Sequence, residues 1–126
     1  KLAPETTGKI NVFGDLNEIM ELTKKTKCSF TIDFAHILAR SKGKIDYDDV
    51  FDKLKNHDHL HCHFSGIEWG EKGEKNHKLT PDKEIKELVS EIMKRKKSVT
   101  IINESPNPMK DALRTKDEFV KQGYKW

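Results

Sequence analysis

The sequence lacks the features of membrane and secreted proteins. No apolar run in its 126 residues approaches the roughly 20 residues of a membrane-spanning helix, and no charged-then-apolar signal opens the chain. Only two cysteines occur, Cys28 and Cys62, and both lie in apolar segments, which is typical of reduced thiols. These absences exclude membrane and secretory classes, and we expect a cytoplasmic protein.

Several enzyme motifs are also missing. The sequence contains no GxGxxG or GxxxxGK[ST] phosphate loop, no glycine-flanked nucleophile serine with an ordered Asp and His, and no cysteine pairs suited to a zinc finger. Nucleotide binding, acyl transfer and a structural zinc finger are therefore unsupported.

Charge is plentiful instead. Charged residues make up 36% of the chain, the formal net charge is +3, and the mean hydropathy is −0.81. Leu, Ile, Val and Phe nevertheless recur periodically, so a core can form, and the charge permits nucleic acid as a partner without requiring it. The first methionine is Met20, inside a helical pattern, and we expect the chain to be a piece of a longer protein.

Two periodicities alternate along the chain and predict about four βα units. The expected strands are residues 1–3, 28–33, 59–64 and 98–104, each short and mostly apolar. The first two expected helices are residues 15–25, with an Asp15/Glu18 capping box, and residues 46–54, with Asp46 as N-cap. A third helix is expected at about residues 80–93, with Thr80 as N-cap and Pro81 in the first turn. A short helix around Met109, Ala112 and Leu113 and a final one containing Phe119 complete the set. This alternation predicts one α/β domain over residues 1–126, with a parallel sheet and helical crossovers.

Two segments stand apart from this alternation. The connection at residues 65–79 is too long for a bare link and leaves the carboxyl end of a strand, where functional loops usually lie. The basic residues 94–97 close a helix, where their charge suits the helix dipole better than it indicates a nucleic-acid patch.

Acidic residues and histidines recur where the predicted strands end. The residues that share this placement are Glu5, Asp33 with His36 three residues on, His61, His77 near the end of the long connection, and Glu104. Parallel strands deliver their carboxyl ends to one edge of a sheet, and carboxylate with imidazole is a ligand set for zinc, manganese or iron. The sequence therefore predicts a metal site at this edge.

Each of these residues has a structural alternative. Glu5 can be a solvated loop acid, and Asp33 and Glu104 can be caps rather than ligands. The histidines at every second position, His57, His59, His61 and His63, would all lie on one face of a single strand. His61 and His63 form a metal-like pair, and at most one or two of the four histidines can reach an ion near the strand end. Cys62 would then pack on the opposite face.

These residues and the motifs around them resemble the endonuclease IV family, metal-dependent apurinic/apyrimidinic (AP) endonucleases among the xylose-isomerase-like (β/α)8 barrels. The matching segments are PETTGK at residues 4–9, IDFAH at 32–36, HCHFSG at 61–66, GEKNH ending at His77, and INESP at 102–106. Their order and spacing agree across almost the whole chain, and the wording HFSGIEWGEKGEKNH is similar to archaeal relatives.

The resemblance implies roles for individual residues. Glu5 would bridge two metal ions, Asp33, His61 and Glu104 would complete the ligands of one of them, and His36 and His77 would hold a third. Glu5 and Glu104 are the implied catalytic residues, and the implied ions are Zn²⁺, two or three in a full barrel, with Mn²⁺ as the alternative. His63 is a candidate additional ligand. Trp69 and Lys75 are candidate contacts to DNA with abasic sites, and anchoring of its loop is the alternative role of Trp69.

The chain departs from the family at two places. Lys75 stands where the third metal's acid is expected, and Glu74 is the candidate substitute. The chain also matches only the C-terminal half of the barrel, so two histidine ligands from the first half are absent. We expect open sheet edges to pair with the missing N-terminal half-barrel or with a second copy, and we expect weak or no activity from this chain alone.

The implied function is DNA repair, by hydrolysis of the phosphodiester 5′ to an abasic site. Two alternatives stay open from the sequence. A sugar isomerase or epimerase of the same superfamily uses a similar Glu, Asp, His and Glu ligand set, and a non-catalytic, self-associating half-barrel needs no intact site at all.

Overall fold

The structure is a computed structural model that describes residues 2–126, so Lys1, which opens the first predicted strand, lies outside the described residues. Its elements are α1 (Leu16–Thr26), β1 (Ile32–Asp33), α2 (Phe34–Arg40), α3 (Tyr47–Lys53), β2 (His59–Phe64), β3 (Gly66–Gly70), β4 (Gly73–Lys78), α4 (Asp82–Arg95), β5 (Ser98–Asn103) and α5 (Pro108–Lys121). Helices and a small parallel sheet confirm the predicted α/β class.

The parallel sheet has the order β1-β2-β5. Asp33 is paired with His63, and His63 in turn with Ile102, so the carboxyl ends of all three strands lie at one edge. The predictions for residues 59–64 and 98–104 are confirmed to within one residue. A separate antiparallel hairpin, β3-β4, occupies the long connection predicted at residues 65–79.

Of the strand predicted at residues 1–3, the described residues Leu2 and Ala3 lie in no strand, and an isolated bridge between Glu5 and Thr31 follows them. The amide of Thr31 donates to the carbonyl of Pro4 (3.0 Å), and the amide of Thr6 donates to the carbonyl of Thr31 (3.2 Å), as in a parallel ladder. Pro4 has no N–H and interrupts that ladder. The predicted strand at residues 28–33 is correspondingly wrong in length, since only Ile32–Asp33 remains in regular pairing.

The predicted caps of two helices are confirmed. Asp15 and Glu18 form the capping box of α1, and the side chain of Asp46 accepts from the amide of Asp49 at the start of α3. Helix α2 has no counterpart among the predicted elements. It follows Asp33 directly, and its residues Phe34, Ala35 and Ala39 are buried.

Two predictions about the last two helices are wrong. Pro81, not Thr80, is the N-cap of α4, because the hydroxyl and amide of Thr80 instead donate to the buried carboxylate of Asp111 at 2.7 and 2.8 Å. Helix α5 is one continuous helix rather than two. It turns Asp111, Thr115 and Phe119 inward, so the predicted apolar residues Met109, Ala112 and Leu113 are exposed.

The core lies on one face of the parallel sheet. Leu60, Cys62 and Phe64 of β2 are buried there, together with apolar residues of α1 to α5. The alternating residues of β2 lie on the opposite face, where His59 and His61 are exposed and His63 is half-buried. No helix within residues 2–126 has the length and apolar character needed to cross a membrane.

Candidate metal centre

Four acidic and histidine side chains converge at the carboxyl edge of the sheet. Glu5, Asp33, His63 and Glu104 each offer a ligand atom, and these atoms all lie within 4.8 Å of one another. His63 Nδ1 lies 3.0 Å from a carboxylate oxygen of Glu5 and 3.3 Å from one of Glu104. We call these four residues the edge group.

Asp33 is the buried member of the edge group. Its Oδ1 accepts the amide of His36 at 2.8 Å and so caps α2, whereas its Oδ2 is buried without a hydrogen-bond partner. Burial raises the pKa of this carboxyl to about 7, although His36 acts in the opposite direction. The cap and ligand interpretations of Asp33 are thus compatible, because each uses a different oxygen.

The unpartnered oxygen is the observation that bears on a cation. A buried carboxylate oxygen is costly to leave without a proton, a donor or a metal ion. Asp33 is joined in the edge group by the carboxylates of Glu5 and Glu104 and the imidazole of His63, which are hard and intermediate ligands suited to zinc or manganese. The residues present therefore fit a divalent cation.

A second cluster lies beside the first and is called the hairpin group. Its members are His36, Glu74 and His77, whose ligand atoms also lie within 4.8 Å of one another. His36 Nε2 lies 2.9 Å from a carboxylate oxygen of Glu74. Lys75 stands where the family has an acidic ligand, and Glu74 was the candidate substitute from the sequence. Glu74 does belong to this cluster.

Two polar groups orient the histidines of the hairpin group. His36 Nδ1–H donates to the carbonyl of Thr6 at 2.9 Å, which directs Nε2 towards Glu74. The hydroxyl of the buried Ser65 lies 2.6 Å from His77 Nδ1. Sequence reasoning missed both, although Ser65 follows a strand end and Thr6 follows Glu5, which were available signals.

Glycines bring the hairpin against the loop at residues 7–14. The amide of Glu74 donates to the carbonyl of Gly8 at 2.9 Å, and Gly73 pairs with Lys9 in an isolated bridge. A Cβ on Gly73, whose φ is +91°, would stand 2.0 Å from the carbonyl oxygen of Gly8. Only glycine tolerates this approach, and it holds Glu74 near the parallel sheet.

The structure separates the remaining candidates. His61 is exposed and lies outside both groups, whereas His63, two residues nearer the strand end, belongs to the edge group. The ring of Trp69 lies against Gly43, where a Cβ would be only 2.7 Å from Cζ2, which favours its role as a loop anchor. Lys75 is exposed on β4.

Other residues singled out in the sequence lie outside the edge group and the hairpin group and have structural roles. Lys97 Nζ donates to the carbonyls of Leu54, Lys55 and His57 at 3.1, 3.2 and 2.6 Å. Lys97 thus binds carbonyls that follow α3, whereas Lys94 and Arg95 lie in the last turn of α4, where the helix-end interpretation places basic charge. Cys62 is buried on the core side, and burial raises the pKa of its thiol to about 12, as expected for a packing residue.

Comparisons with known proteins give one informative match. An uncharacterized protein of Methanocaldococcus jannaschii is 37% identical over 126 aligned positions, which cover 89% of this chain and 45% of the relative. The chain thus spans less than half the length of this curated relative. No family model and no solved structure matches the chain.

Proposed function

We propose that this chain forms the C-terminal half of an AP endonuclease of the endonuclease IV type, a (β/α)8 barrel that hydrolyses DNA 5′ to abasic sites. The observation that carries the proposal is the edge group, in which Glu5, Asp33, His63 and Glu104 place ligand atoms within 4.8 Å of one another and Asp33 keeps a buried oxygen without a hydrogen-bond partner among the described residues. Four segments far apart in sequence supply these residues, and the carboxyl edge of a parallel sheet is where ligand-binding and catalytic groups gather.

The edge group and the hairpin group would bind separate metal ions. The edge group would hold one divalent cation and the hairpin group another, Zn²⁺ or Mn²⁺, with the absent half of the barrel completing the centre. When bound, such cations lower the pKa of a water molecule and neutralise charge on the leaving oxygen. Glu5 and Glu104, with side chains 32% and 39% exposed, are the carboxylates of the edge group through which a proton can pass to solvent.

The surroundings of the two groups suit a phosphate-bearing substrate. Exposed lysines border them on the loop at residues 7–14 and on the hairpin, namely Lys9, Lys72, Lys75 and Lys78. Lysine side chains attract the DNA backbone without reading its sequence. A neutral sugar has no phosphate for these lysines to bind, although the exposed Glu68 and Glu71 of the hairpin offset part of their charge.

A half-barrel reading also accounts for the uncovered surfaces. The sheet is covered by helices on one face only, and the 45% coverage of the relative leaves room for further βα units in a related protein. The partner would be an N-terminal half-barrel or, failing that, a second copy of the chain. Because ligands would be missing, the 126-residue chain alone should incise DNA weakly or not at all.

The test uses the protein expressed from its complete reading frame and a duplex with a single abasic site. We expect incision that depends on added zinc or manganese. His63→Ala should lower the rate by orders of magnitude, whereas His59→Ala should leave it unchanged, because His59 lies outside both groups and hydrogen-bonds the hydroxyls of Ser98 and Thr100. His61→Ala distinguishes the sequence-based ligand from the structural one.

Two results would overturn the proposal. One is the absence of incision with zinc, manganese and magnesium at low salt. The other is metal-dependent isomerisation of a ketose without DNA binding, which would transfer the same residues to a sugar isomerase.

A further inference from the structure

The hairpin formed by β3 and β4 carries two of the three residues of the hairpin group, Glu74 and His77. Among the described residues of these two strands, Ile67 is the only buried apolar side chain, and it packs against helix α2. A two-stranded hairpin is at best marginally stable by itself. Polar contacts with the rest of the fold are therefore needed to hold these two ligands in place.

The base of the hairpin, where β3 begins and β4 ends, is held by Thr80. The amide of Gly66 donates to the hydroxyl of Thr80 at 3.0 Å. The two ends of the hairpin lie close together there, since a Cβ on Gly66 would stand 2.4 Å from the carbonyl oxygen of Leu79. Ser65, whose hydroxyl lies 2.6 Å from His77 Nδ1, directly precedes Gly66. The hydroxyl of Thr80 thus fixes the backbone beside the partner of His77.

Thr80 is held in turn by the buried carboxylate of Asp111 on helix α5. Asp111 Oδ2 accepts the hydroxyl and the amide of Thr80 at 2.7 and 2.8 Å. Asp111 Oδ1 accepts from Arg114 at 2.6 Å, and Arg114 also donates to the carbonyl of Thr80 at 2.8 Å. The hydroxyl hydrogen of Thr80 is thereby directed to Asp111, which leaves the hydroxyl oxygen available to accept from Gly66.

The charge on Asp111 strengthens these contacts. Burial acts to raise the pKa of its carboxyl, but the hydrogen bonds from Thr80 and Arg114 outweigh burial and hold the pKa below its ordinary value. Hydrogen bonds to an ionised acceptor are roughly twice as strong as those between neutral groups. The network therefore favours a fixed position for Thr80.

Anchoring of α5 is the alternative role of this carboxylate. The amide of Thr80 and the guanidinium of Arg114 suffice for that role. The hydroxyl of Thr80 does more, because it contacts Asp111 and Gly66 at the same time. The two roles are therefore separable at a single oxygen atom.

We infer that Asp111, acting through the hydroxyl of Thr80, is a positioning residue that holds Glu74 and His77 in reach of one cation. This inference rests on the proposed function and deepens it, because it names a residue outside both groups that sets the geometry of the hairpin group.

The experiment combines hydrogen exchange with calorimetric Zn²⁺ titration of the protein expressed from its complete reading frame. Thr80→Val keeps the shape and the amide of the residue but removes the hydroxyl. With a chelator present, the amides of residues 66–78 should exchange faster than in the unaltered protein. Zn²⁺ should bind the hairpin group about tenfold more weakly, the lower end of the effect of losing an orienting partner. Thr80→Ser retains the hydroxyl and should restore both properties.

The matched control is Thr115→Val. The hydroxyl of Thr115 is also buried beside Asp111, but it donates to the backbone carbonyl of that residue, at 2.8 Å and within α5. Its loss should lower the thermal stability and leave hairpin exchange and Zn²⁺ binding unchanged. Glu74→Gln identifies the titration step that belongs to the hairpin group.

A double variant tests whether Asp111 acts through Thr80. Thr80→Val added to Asp111→Asn should cause little further loss of Zn²⁺ affinity, because the two residues form one series of contacts. Additive losses would show that Asp111 does not act through Thr80.

Unchanged exchange of residues 66–78 in Thr80→Val would overturn the inference and leave the proposed function intact. Equal effects of Thr80→Val and Thr115→Val would also overturn it, because the network would then only stabilise the fold. Absence of Zn²⁺ at the hairpin group of the unaltered protein would remove the inference together with the second cation. Absence of DNA incision, with the Zn²⁺ results as expected, would remove the proposed function and leave the positioning role in place.

Discussion

At the scale of single residues, Asp33 makes the stability of the metal-free protein depend on pH. Burial raises its pKa to about 7 from 3.8, so the folded state binds the proton more tightly than the unfolded chain does. The protonated Asp33 therefore contributes to the stability of the folded state, fully below about pH 4, and this contribution is lost as the pH rises through 7. The difference between the two pKa values corresponds to about 4 kcal/mol of unfolding free energy.

This dependence can be measured by urea unfolding with a chelator present, at pH 5 and at pH 8. The unaltered protein should be less stable at pH 8 by a few kcal/mol, and Asp33→Asn should lose most of that difference. Asp117→Asn, on the exposed side of α5, should behave like the unaltered protein. An Asp33→Asn variant with an unchanged pH dependence would contradict the assignment.

Ser65 is a positioning residue whose removal should act through His77. The hydroxyl is buried and lies 2.6 Å from His77 Nδ1, so it fixes the ring orientation and leaves Nε2 for a ligand. Loss of such a partner commonly lowers metal affinity about 10- to 100-fold. Ser65→Ala should therefore weaken one of two cation-binding steps in calorimetric titration with Zn²⁺ and leave the other step intact.

The control for Ser65 is Ser41→Ala. The hydroxyl of Ser41 bonds only the carbonyls of Ile37 and Leu38 at the end of α2, so both binding steps should persist. Unchanged titration of Ser65→Ala would show that His77 needs no orienting partner.

At the scale of elements, the docking of the hairpin on the loop at residues 7–14 depends on Gly73. Gly73→Ala would place a methyl group 2.0 Å from the carbonyl oxygen of Gly8, so the strands must separate and Glu74 must move. We expect loss of cation binding at the hairpin group with binding at the edge group retained, as measured by metal stoichiometry.

Gly123→Ala is the control that separates the effect of the steric clash at Gly73 from the effect of backbone strain at a positive φ. Gly123 also has a positive φ, +97°, but within residues 2–126 no atom beyond its two chain neighbours lies within 4 Å of the Cβ that alanine would add. Its stoichiometry should be unchanged. Equal behaviour of the two variants would mean that the close approach at Gly73 does not position Glu74.

The elements that were predictable from sequence are those with a single strong signal. The capping box of α1 and the alternating burial of β2 follow from side-chain type alone. Helix α2 was missed because it has seven residues and three of them, Phe34, Ala35 and Ala39, are buried, so it lacks a clear polar face. The hairpin was missed because its strands are mostly charged, and its buried Ile67 packs against Ala35 and Ala39 of the distant helix α2.

The sequence pattern also could not decide whether His61 or His63 belongs to the edge group. Both residues lie on the same face of β2, so their alternation predicts either. The register decides: Asp33 is paired with His63, which puts His63 level with the strand end where Glu5 and Glu104 meet. Register between distant strands is a property of the folded sheet.

At the scale of the whole molecule, the parallel sheet is covered on one side only. Its second face carries the exposed His59, His61 and Thr100, and Ile102 on it is 45% exposed. Beyond β5, a cavity of about 610 Å³ is lined by Val99, Ile101, Phe119 and further residues of α4, α5 and the C-terminal segment. An open strand edge beside apolar surface favours pairing with further strands.

This surface predicts that the 126-residue chain associates when it is produced alone. Dimers should form in a concentration-dependent manner, as measured by light scattering, because a second copy can cover the open face and edge. Ile102→Lys would place a charge in the contact and should shift the equilibrium to monomer without unfolding the chain, since Ile102 is already half exposed.

Val120→Lys is the matched control, because Val120 is similarly exposed but lies near the end of α5, away from the open sheet face. It should leave association unchanged, since added charge alone has a small effect at this net charge. A chain that stays monomeric at every concentration, with its fold intact, would contradict the half-barrel arrangement. Equal loss of association in both variants would move the contact from the sheet to the helices.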